Sequence, residues 1–136
     1  MEYTDETHFP KSRASAREAR RWLAETESDL PVSTRDLLVL MLSEVVTNSV
    51  VHGDLRVTDV IDVRVRRRGD VVRIEVHDPG RGFDVAEVFP PTHERLGNGS
   101  ERGYGLRLVD TIATAWGVDE SRPTTVWFEL EAERAS

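Results

Sequence analysis

Hydrophobic and polar residues alternate through the middle of the chain in a pattern that predicts a β-hairpin. Apolar side chains occupy every second position from Val60 to Arg67 and again from Val71 to His77, on either side of Gly69-Asp70. Because successive side chains of a strand point to opposite faces, each strand has one apolar and one polar face. The pattern predicts a hairpin with one buried face, formed by Ile61, Val63, Val65, Val72, Ile74 and Val76.

Two further strands are predicted near the ends of the chain. A short strand is expected around Tyr3 to Phe9, closed by Pro10. The last strand is expected over Thr124 to Glu131. Alternation along this strand predicts that one face is buried and the other is not; the inward residues are Val126, Phe128 and Leu130, and the outward residues are Thr125, Trp127 and Glu129.

Helical periodicity precedes the hairpin. A first helix is predicted at about 13–27, where a stripe is formed by Ala16, Ala19, Trp22 and Leu23. A longer helix is expected to begin at a capping box, Ser33-Thr34-Arg35-Asp36 with Ser33 as its N-cap, and to continue to about His52.

The periodic pattern dissolves between Phe83 and Arg102, where Pro90-Pro91 and a Gly-rich stretch predict a mobile loop. A third helix is predicted from Gly105 to about Trp116. Together these elements predict an α+β fold, a two-layer sandwich in which helices cover one side of a mixed, mostly antiparallel sheet. A chain of 136 residues fits a single domain spanning 1–136.

Composition and charge narrow the range of functions. The net charge of −7 argues against a nucleic-acid binder held mainly by phosphate neutralisation. The absence of cysteine excludes disulfides, a thiol nucleophile and a thiolate metal site. No apolar run approaches the roughly 20 residues of a membrane span, and the first residues lack a signal-peptide pattern. A cytoplasmic protein without membrane contact is therefore expected.

The long helix carries a carboxylate and an amide on a predicted apolar stripe, which is formed by Leu37, Leu40, Met41, Glu44, Asn48 and His52. A carboxylate that faces inward is costly unless a charged or hydrogen-bonding group meets it. In one interpretation, Glu44 and Asn48 cap neighbouring backbone groups. In the other, Asn48 offers its amide oxygen to Mg²⁺, while Glu44, one turn earlier, orients a water or accepts a proton from a hydroxyl group.

Asp78 ends a buried strand and precedes Pro79-Gly80-Arg81-Gly82, where the glycines permit tight turns and close backbone approach. In one interpretation it is the first residue of an ordinary strand-ending turn. In the other, its carboxylate accepts a hydrogen bond from the exocyclic amino group of adenine, and Gly82 leaves room for the base.

A third segment, Gly103-Tyr104-Gly105-Leu106, leads into the last predicted helix. In one interpretation, the glycines before the helix N-terminus expose backbone N–H groups that can bind phosphates. In the other, the segment is a Gly-rich turn that binds no ligand. The preceding loop at about 84–102 favours the phosphate interpretation, because such a loop can close as a lid over a nucleotide. No Walker-type phosphate-binding motif occurs in the chain.

These segments together resemble the GHKL (Bergerat-fold) superfamily of histidine kinase-like ATPase domains. Within it, the chain is similar to the anti-sigma-factor serine/threonine kinases of the RsbW/SpoIIAB type. Glu44-x-x-x-Asn48-x-x-x-His52 resembles the N box, Asp78 to Phe83 the first glycine box, and Gly103 to Leu106 the second. Thr124 to Phe128 resembles the segment of the last strand whose threonine approaches adenine. The resemblance covers a core of about 9–130.

The resemblance implies a role for each matching position. Asn48 would bind Mg²⁺ and Glu44 would act as the general base, while Asp78 and Thr125 would recognise adenine. The remaining positions would contact the nucleotide and shape its pocket and lid; they are Gly80, Gly82, Gly103, Tyr104, Gly105 and Leu106.

Two departures from the family pattern concern the edges of the site. Arg122-Pro123 stands where the family often has glycine before its last-strand threonine pair. The lid segment has no obvious lysine for the γ-phosphate, for which Arg95 or Arg102 is a candidate.

The implied function is that of an ATP-binding anti-sigma-factor regulator. Such a protein uses ATP and Mg²⁺ to phosphorylate a serine on an anti-anti-sigma (STAS-like) partner, and it binds a sigma factor; it is compatible with a homodimer. The first alternative is an ATP-dependent protein-binding regulator without kinase activity. The second is a protein-interaction domain on the same scaffold that binds no nucleotide.

Overall fold

The computed structural model describes residues 2–10, 12–52, 59–78, 104–119 and 124–132. In chain order, the described elements are β1 (Glu2–Pro10), α1 (Ser15–Thr26), α2 (Val32–His52), β2 (Val60–Arg68), β3 (Val71–Asp78), α3 (Tyr104–Ile112), β4 (Ala115–Asp119) and β5 (Thr124–Glu131).

The strands form one five-stranded sheet in the order β1-β2-β3-β5-β4, and every pairing in the described part of the chain is antiparallel. The predicted hairpin is confirmed: β2 pairs with β3, with Arg68 opposite Val71 and Gly69-Asp70 between them. Gly69 has a φ of 60°, a left-handed conformation that glycine adopts at no steric cost. The predicted first and last strands are also present.

The helices cover one face of the sheet, as expected for a two-layer α+β fold. The long helix α2 packs against α1 on one side and α3 on the other, and it contacts β3 and β5 beneath it. Inward residues of the strands meet buried residues of the helices in one core, whose largest buried apolar side chains include Phe128, Leu23, Leu38, Met41, Leu42, Ile61, Ile74 and Leu106. Full burial of each such side chain contributes about 1.5–3 kcal/mol. Within the described ranges, no helix is both long and apolar enough to span a bilayer.

Two predictions about α2 are wrong. Ser33 is not the N-cap, because the helix already begins at Val32 and the N–H of Arg35 donates to the carbonyl of Pro31 at 2.9 Å. A capping serine must lie outside the helix. Leu37 and Leu40 do not face the core either, since they are 38% and 41% exposed. The neighbours of α2 on three sides leave only its outer ridge uncovered, and these two leucines lie on that ridge.

The third helix is shorter than predicted, because it ends at Ile112 and the chain continues into the unpredicted strand β4. The N–H of Thr114 donates to the carbonyl of Glu129 at 2.8 Å, which directs the following residues along β5. Four of the five residues of β4 are half-buried and none is fully buried, so the strand lacks the alternation by which strands are recognised in a sequence.

The face of the sheet away from the helices carries a cluster of charged and aromatic side chains. The guanidinium of Arg73 lies 4.2 Å from the centre of the Trp127 ring, and it donates to Glu75 at 2.9 Å and to Glu129 at 3.1 Å. Gly117 faces the same indole. Burial raises the pKa of Glu75, but the hydrogen bond from Arg73 and the charge of Arg66 outweigh that effect, so the pKa lies below its usual value.

We expect Gly117→Ala to lower the free energy of unfolding by about 1–3 kcal/mol, as overpacking does. A Cβ at this position would lie 2.8 Å from Nε1 of Trp127. Urea denaturation measures the effect, which should be smaller in a Trp127→Leu background, where the clash is relieved. Gly69→Ala is the control, because its cost comes from the backbone angle and should not depend on Trp127. Equal effects of Gly117→Ala in both backgrounds would contradict the proposed contact.

The lowered pKa of Glu75 predicts a pH-dependent contribution to stability. A carboxylate whose folded pKa is depressed stabilises the protein above its unfolded pKa, and this stabilisation is lost as the pH falls through the folded value. Glu75→Gln should therefore destabilise the protein at pH 7, and its difference from the wild type should shrink below about pH 4. The exposed Glu25→Gln is the control, with a small difference at every pH. A Glu75→Gln difference that did not change with pH would refute this assignment.

Candidate functional site

The long helix α2 presents Asn48 to the interior. Asn48 is only 4% exposed, and its Nδ2 atom has no hydrogen-bond partner among the residues that the structure describes. A buried amide N–H group without a partner costs free energy, so this group is suited to donate to a hydrogen-bond acceptor on a bound ligand. Glu44 lies one turn earlier and about 40° round the helix axis, at the half-buried edge of the outer ridge.

The ends of β3 and β5 bring two further polar side chains to the covered face of the sheet. Asp78, the last residue of β3, is opposite Thr124, the first residue of β5. Each is 1% exposed. Both continue the inward-facing series of their strands, which includes Val76 on β3 and Val126 on β5. A carboxylate and a hydroxyl group therefore meet at the edge of the layer that α2 covers.

Thr125, which the family resemblance implied for adenine recognition, is not brought together with Asp78. It is opposite His77 on the other face of the sheet, and its Oγ1 lies 2.9 Å from Nδ1 of His77. Thr124 occupies the place beside Asp78 instead. The signal for this residue was present in the sequence, because Thr124 precedes the predicted inward residue Val126 by two positions and must share its face.

The last helix supplies one more predicted site residue. Leu106 is fully buried in the first turn of α3, and α3 packs against α2. The helix begins at Tyr104, so Tyr104 and Gly105 are in its first turn, although the side chain of Tyr104 is outside the described part of the structure. The other predicted positions also lie outside the described residues; they are Gly80, Gly82, Gly103, Arg95, Arg102 and the lid at 84–102.

The residues of this region fit a nucleotide better than a metal held by protein alone. In the described ranges, no three His, Asp or Glu side chains converge on a point where they could hold a metal ion. Mg²⁺ keeps several waters and takes few protein ligands beside nucleotide phosphates, so the single amide of Asn48 is a sufficient protein ligand. Asp78 can accept hydrogen bonds, and Thr124 can both donate and accept them.

Comparison with known proteins shows the fold and the family of the chain. No curated protein matches the chain. Among solved structures, the chain is similar to the RsbU and RsbW domains of Rv1364c from Mycobacterium tuberculosis, with a TM-score of 0.71 and 20% identity. The match covers 98% of this chain and 33% of that one, so the chain spans about a third of its length. The family model of the histidine kinase-like ATPase domain matches residues 9–130, and the chain therefore belongs to this family.

Proposed function

We propose that the chain binds Mg-ATP between α2, α3 and the adjoining ends of β3 and β5. The observation that carries this proposal is the presence of three buried polar side chains on the helix-covered side of the sheet. Asp78 faces Thr124 there, and the buried Asn48 has an amide nitrogen without a partner in the described part of the chain. Apolar cores do not contain such groups unless a ligand or a hydrogen bond compensates for their burial.

Asp78 and Thr124 are suited to reading the adenine edge. The carboxylate of Asp78 accepts a hydrogen bond from the exocyclic amino group, which guanine does not present at that position. A hydrogen bond to a charged group contributes about 1.5–3 kcal/mol net, enough for a tenfold or larger preference. The hydroxyl of Thr124, directly opposite, supplies a second polar contact on the same face.

Asn48 and the first turn of α3 are suited to the phosphate end. The amide oxygen of Asn48 would hold the magnesium ion that accompanies the nucleotide phosphates. The N-terminus of α3 presents backbone N–H groups and a positive dipole end toward phosphate oxygens. When bound, ATP supplies the phosphoryl group that is transferred.

We further propose that the acceptor is a serine hydroxyl on a protein partner, as in the anti-sigma-factor kinases that the chain resembles. Glu44 accepts the hydroxyl proton as the serine oxygen forms its bond to phosphorus and the bond to the ADP leaving group breaks. The partner would be an anti-anti-sigma (STAS-like) protein, and the chain would bind a sigma factor when that partner is phosphorylated. The RsbW domain in the similar structure supports this partner-switching role.

One observation favours a second candidate, an ATP-dependent binding regulator without kinase activity. Glu44 lies at the edge of the exposed ridge of α2, and no hydrogen bond or ion pair holds its carboxylate among the described residues. A general base works efficiently only when it is positioned against the proton that it removes. In this second function, ATP binding alone would control the affinity for a partner.

Calorimetric titration with Mg-ATP tests the pocket. We expect Asp78→Asn to weaken binding by about tenfold or more and to reduce the preference for ATP over GTP. Thr124→Val should weaken binding severalfold, whereas the matched change Thr125→Val, on the opposite face, should leave it within about twofold. Asn48→Ala should weaken binding only when Mg²⁺ is present. Equal losses of ATP affinity in Thr124→Val and Thr125→Val would contradict the placement of the nucleotide on the helix-covered face of the sheet.

Transfer of labelled phosphate from ATP to a cognate STAS-like partner tests the kinase function. We expect Glu44→Gln to lower kcat by about 10²-fold or more, as removal of a general base does. Its affinity for Mg-ATP should stay within about twofold of the wild type, because Glu44 is not assigned a nucleotide contact. If the wild type binds both ATP and the partner yet forms no phosphoserine, the protein is the binding regulator instead.

A further inference from the structure

The outward side of α1 is basic in an acidic protein. Arg17, Arg20 and Arg21 are exposed and fall at helical spacings of three and four residues, so they share one side of the helix; Arg13 is exposed in the turn before it. None of these arginines pairs with a carboxylate within the part of the chain that the structure describes, although the whole chain carries a net charge of −7. Glu18 and Glu25 are also exposed on this helix, three and four residues from Arg21, but the four arginines outnumber them, so positive charge predominates on this side of α1.

The neighbouring ridge of α2 is exposed and carries both apolar and polar side chains. Val51 is 63% exposed and Leu40 is 41% exposed, and Thr47 lies between them on the same side of the helix. Single exposed apolar residues are common, but Val51 also lines a groove together with Val50, and exposed apolar side chains at a groove indicate an interaction surface. Glu44 lies on this ridge between Leu40 and Thr47, within one turn of each.

A groove of about 320 Å³ separates the two features, and its lining is formed by Ser12, Arg13, Ala16, Thr47, Val50 and Val51. One wall belongs to the start of α1 and the other to the end of α2. Near it, Nη1 of Arg20 donates to Oγ of Ser43 at 2.9 Å and joins the two helices across their contact. We call the groove, the four arginines and the exposed ridge the α1–α2 surface.

We propose that the α1–α2 surface docks an acidic amphipathic helix of a protein partner. Apolar side chains of such a helix would fill the groove over Ala16 and Val50, while its carboxylates would face Arg13 and Arg17. Opposite charges across an interface fix the register and reject partners of the wrong sign. Phosphate groups of nucleic acid would match the arginines but would leave the exposed apolar side chains of Leu40 and Val51 in contact with water.

The position of Glu44 links this surface to phosphoryl transfer. A helix seated on the ridge beside Leu40 and Val51 lies next to the carboxylate that is proposed to accept the serine proton. The α1–α2 surface would therefore hold the protein substrate while the nucleotide lies on the inner side of α2. This step rests on the proposed function, whereas docking itself requires only the arginines and the groove.

Fluorescence anisotropy with a labelled synthetic peptide tests the docking. The peptide has about 16 residues, long enough to become helical when bound, with leucines at i, i+3, i+4 and i+7 and glutamates on both flanks. We expect Arg17→Glu and Val51→Asp each to weaken binding about tenfold or more. Arg68→Glu makes the same charge change at an exposed position at the end of β2, outside the lining of the groove, and should stay within about twofold.

The controls decide between this proposal and its rivals. A peptide with lysine in place of glutamate should not bind, and binding of the acidic peptide should weaken as salt is raised. No binding of the acidic peptide, or equal losses in Arg17→Glu and Arg68→Glu, would overturn the proposal.

Conversion of a dimer to a monomer by Val51→Asp in sedimentation would assign the surface to a second copy. Arg17-dependent binding to phosphatidylglycerol vesicles without peptide binding would assign it to a membrane.

Titration of the same variants with Mg-ATP separates this inference from the proposed function. Arg17→Glu and Val51→Asp lie outside the nucleotide pocket and should bind ATP as the wild type does. Peptide docking without ATP binding would remove the proposed function and leave the docking surface standing. ATP binding without peptide docking would overturn the docking surface and leave the proposed function standing.

Discussion

The central position of α2 is the constraint on which the rest of the structure depends. This helix contacts α1, α3, β3 and β5, so its inner side completes the core through Leu38, Met41 and Val45. Because α-helical side chains project all round the axis, one element serves three surfaces at once. Asn48 points into the interior, Glu44 lies at the boundary, and Leu40 and Val51 remain outside. Any shift of α2 would change all three environments together.

The second constraint is the antiparallel register of β3 and β5. It sets Asp78 opposite Thr124 and, one residue along, His77 opposite Thr125. Since side chains alternate between faces, the first pair reaches the helix-covered side and the second reaches the outer side. A slip of one residue would exchange these two environments. The buried apolar residues of both strands, such as Ile74 and Phe128, oppose that slip because they would be exposed to water.

The two faces of the sheet are stabilised by different physical means. The inner face is held by burial of apolar surface, which needs no particular geometry beyond close packing. The outer face is held by oriented contacts, with Arg73 stacked on Trp127 and bonded to the buried carboxylate of Glu75. Hydrogen bonds to Glu75 compensate for its burial. The outer contacts also join β3 to β5, since Arg73 and Glu75 lie on β3 and Trp127 and Glu129 on β5.

The sequence by itself determined the elements whose periodicity is strong and local. Alternation predicted the β2–β3 hairpin and β5, and the N box and glycine boxes identified the family, because these signals depend on neighbouring residues alone. The sequence did not predict β4, which is partly buried on both faces, or the exposure of Leu40, because both depend on which elements cover them. Alternation along each strand already puts Asp78 with Val76 and Thr124 with Val126 on the inward faces, but only the tertiary structure set Asp78 opposite Thr124, since the register between distant strands decides which side chains meet. The α1–α2 surface likewise exists only in the folded chain, because helix packing is what brings Arg13 and Val51, far apart in sequence, to one groove.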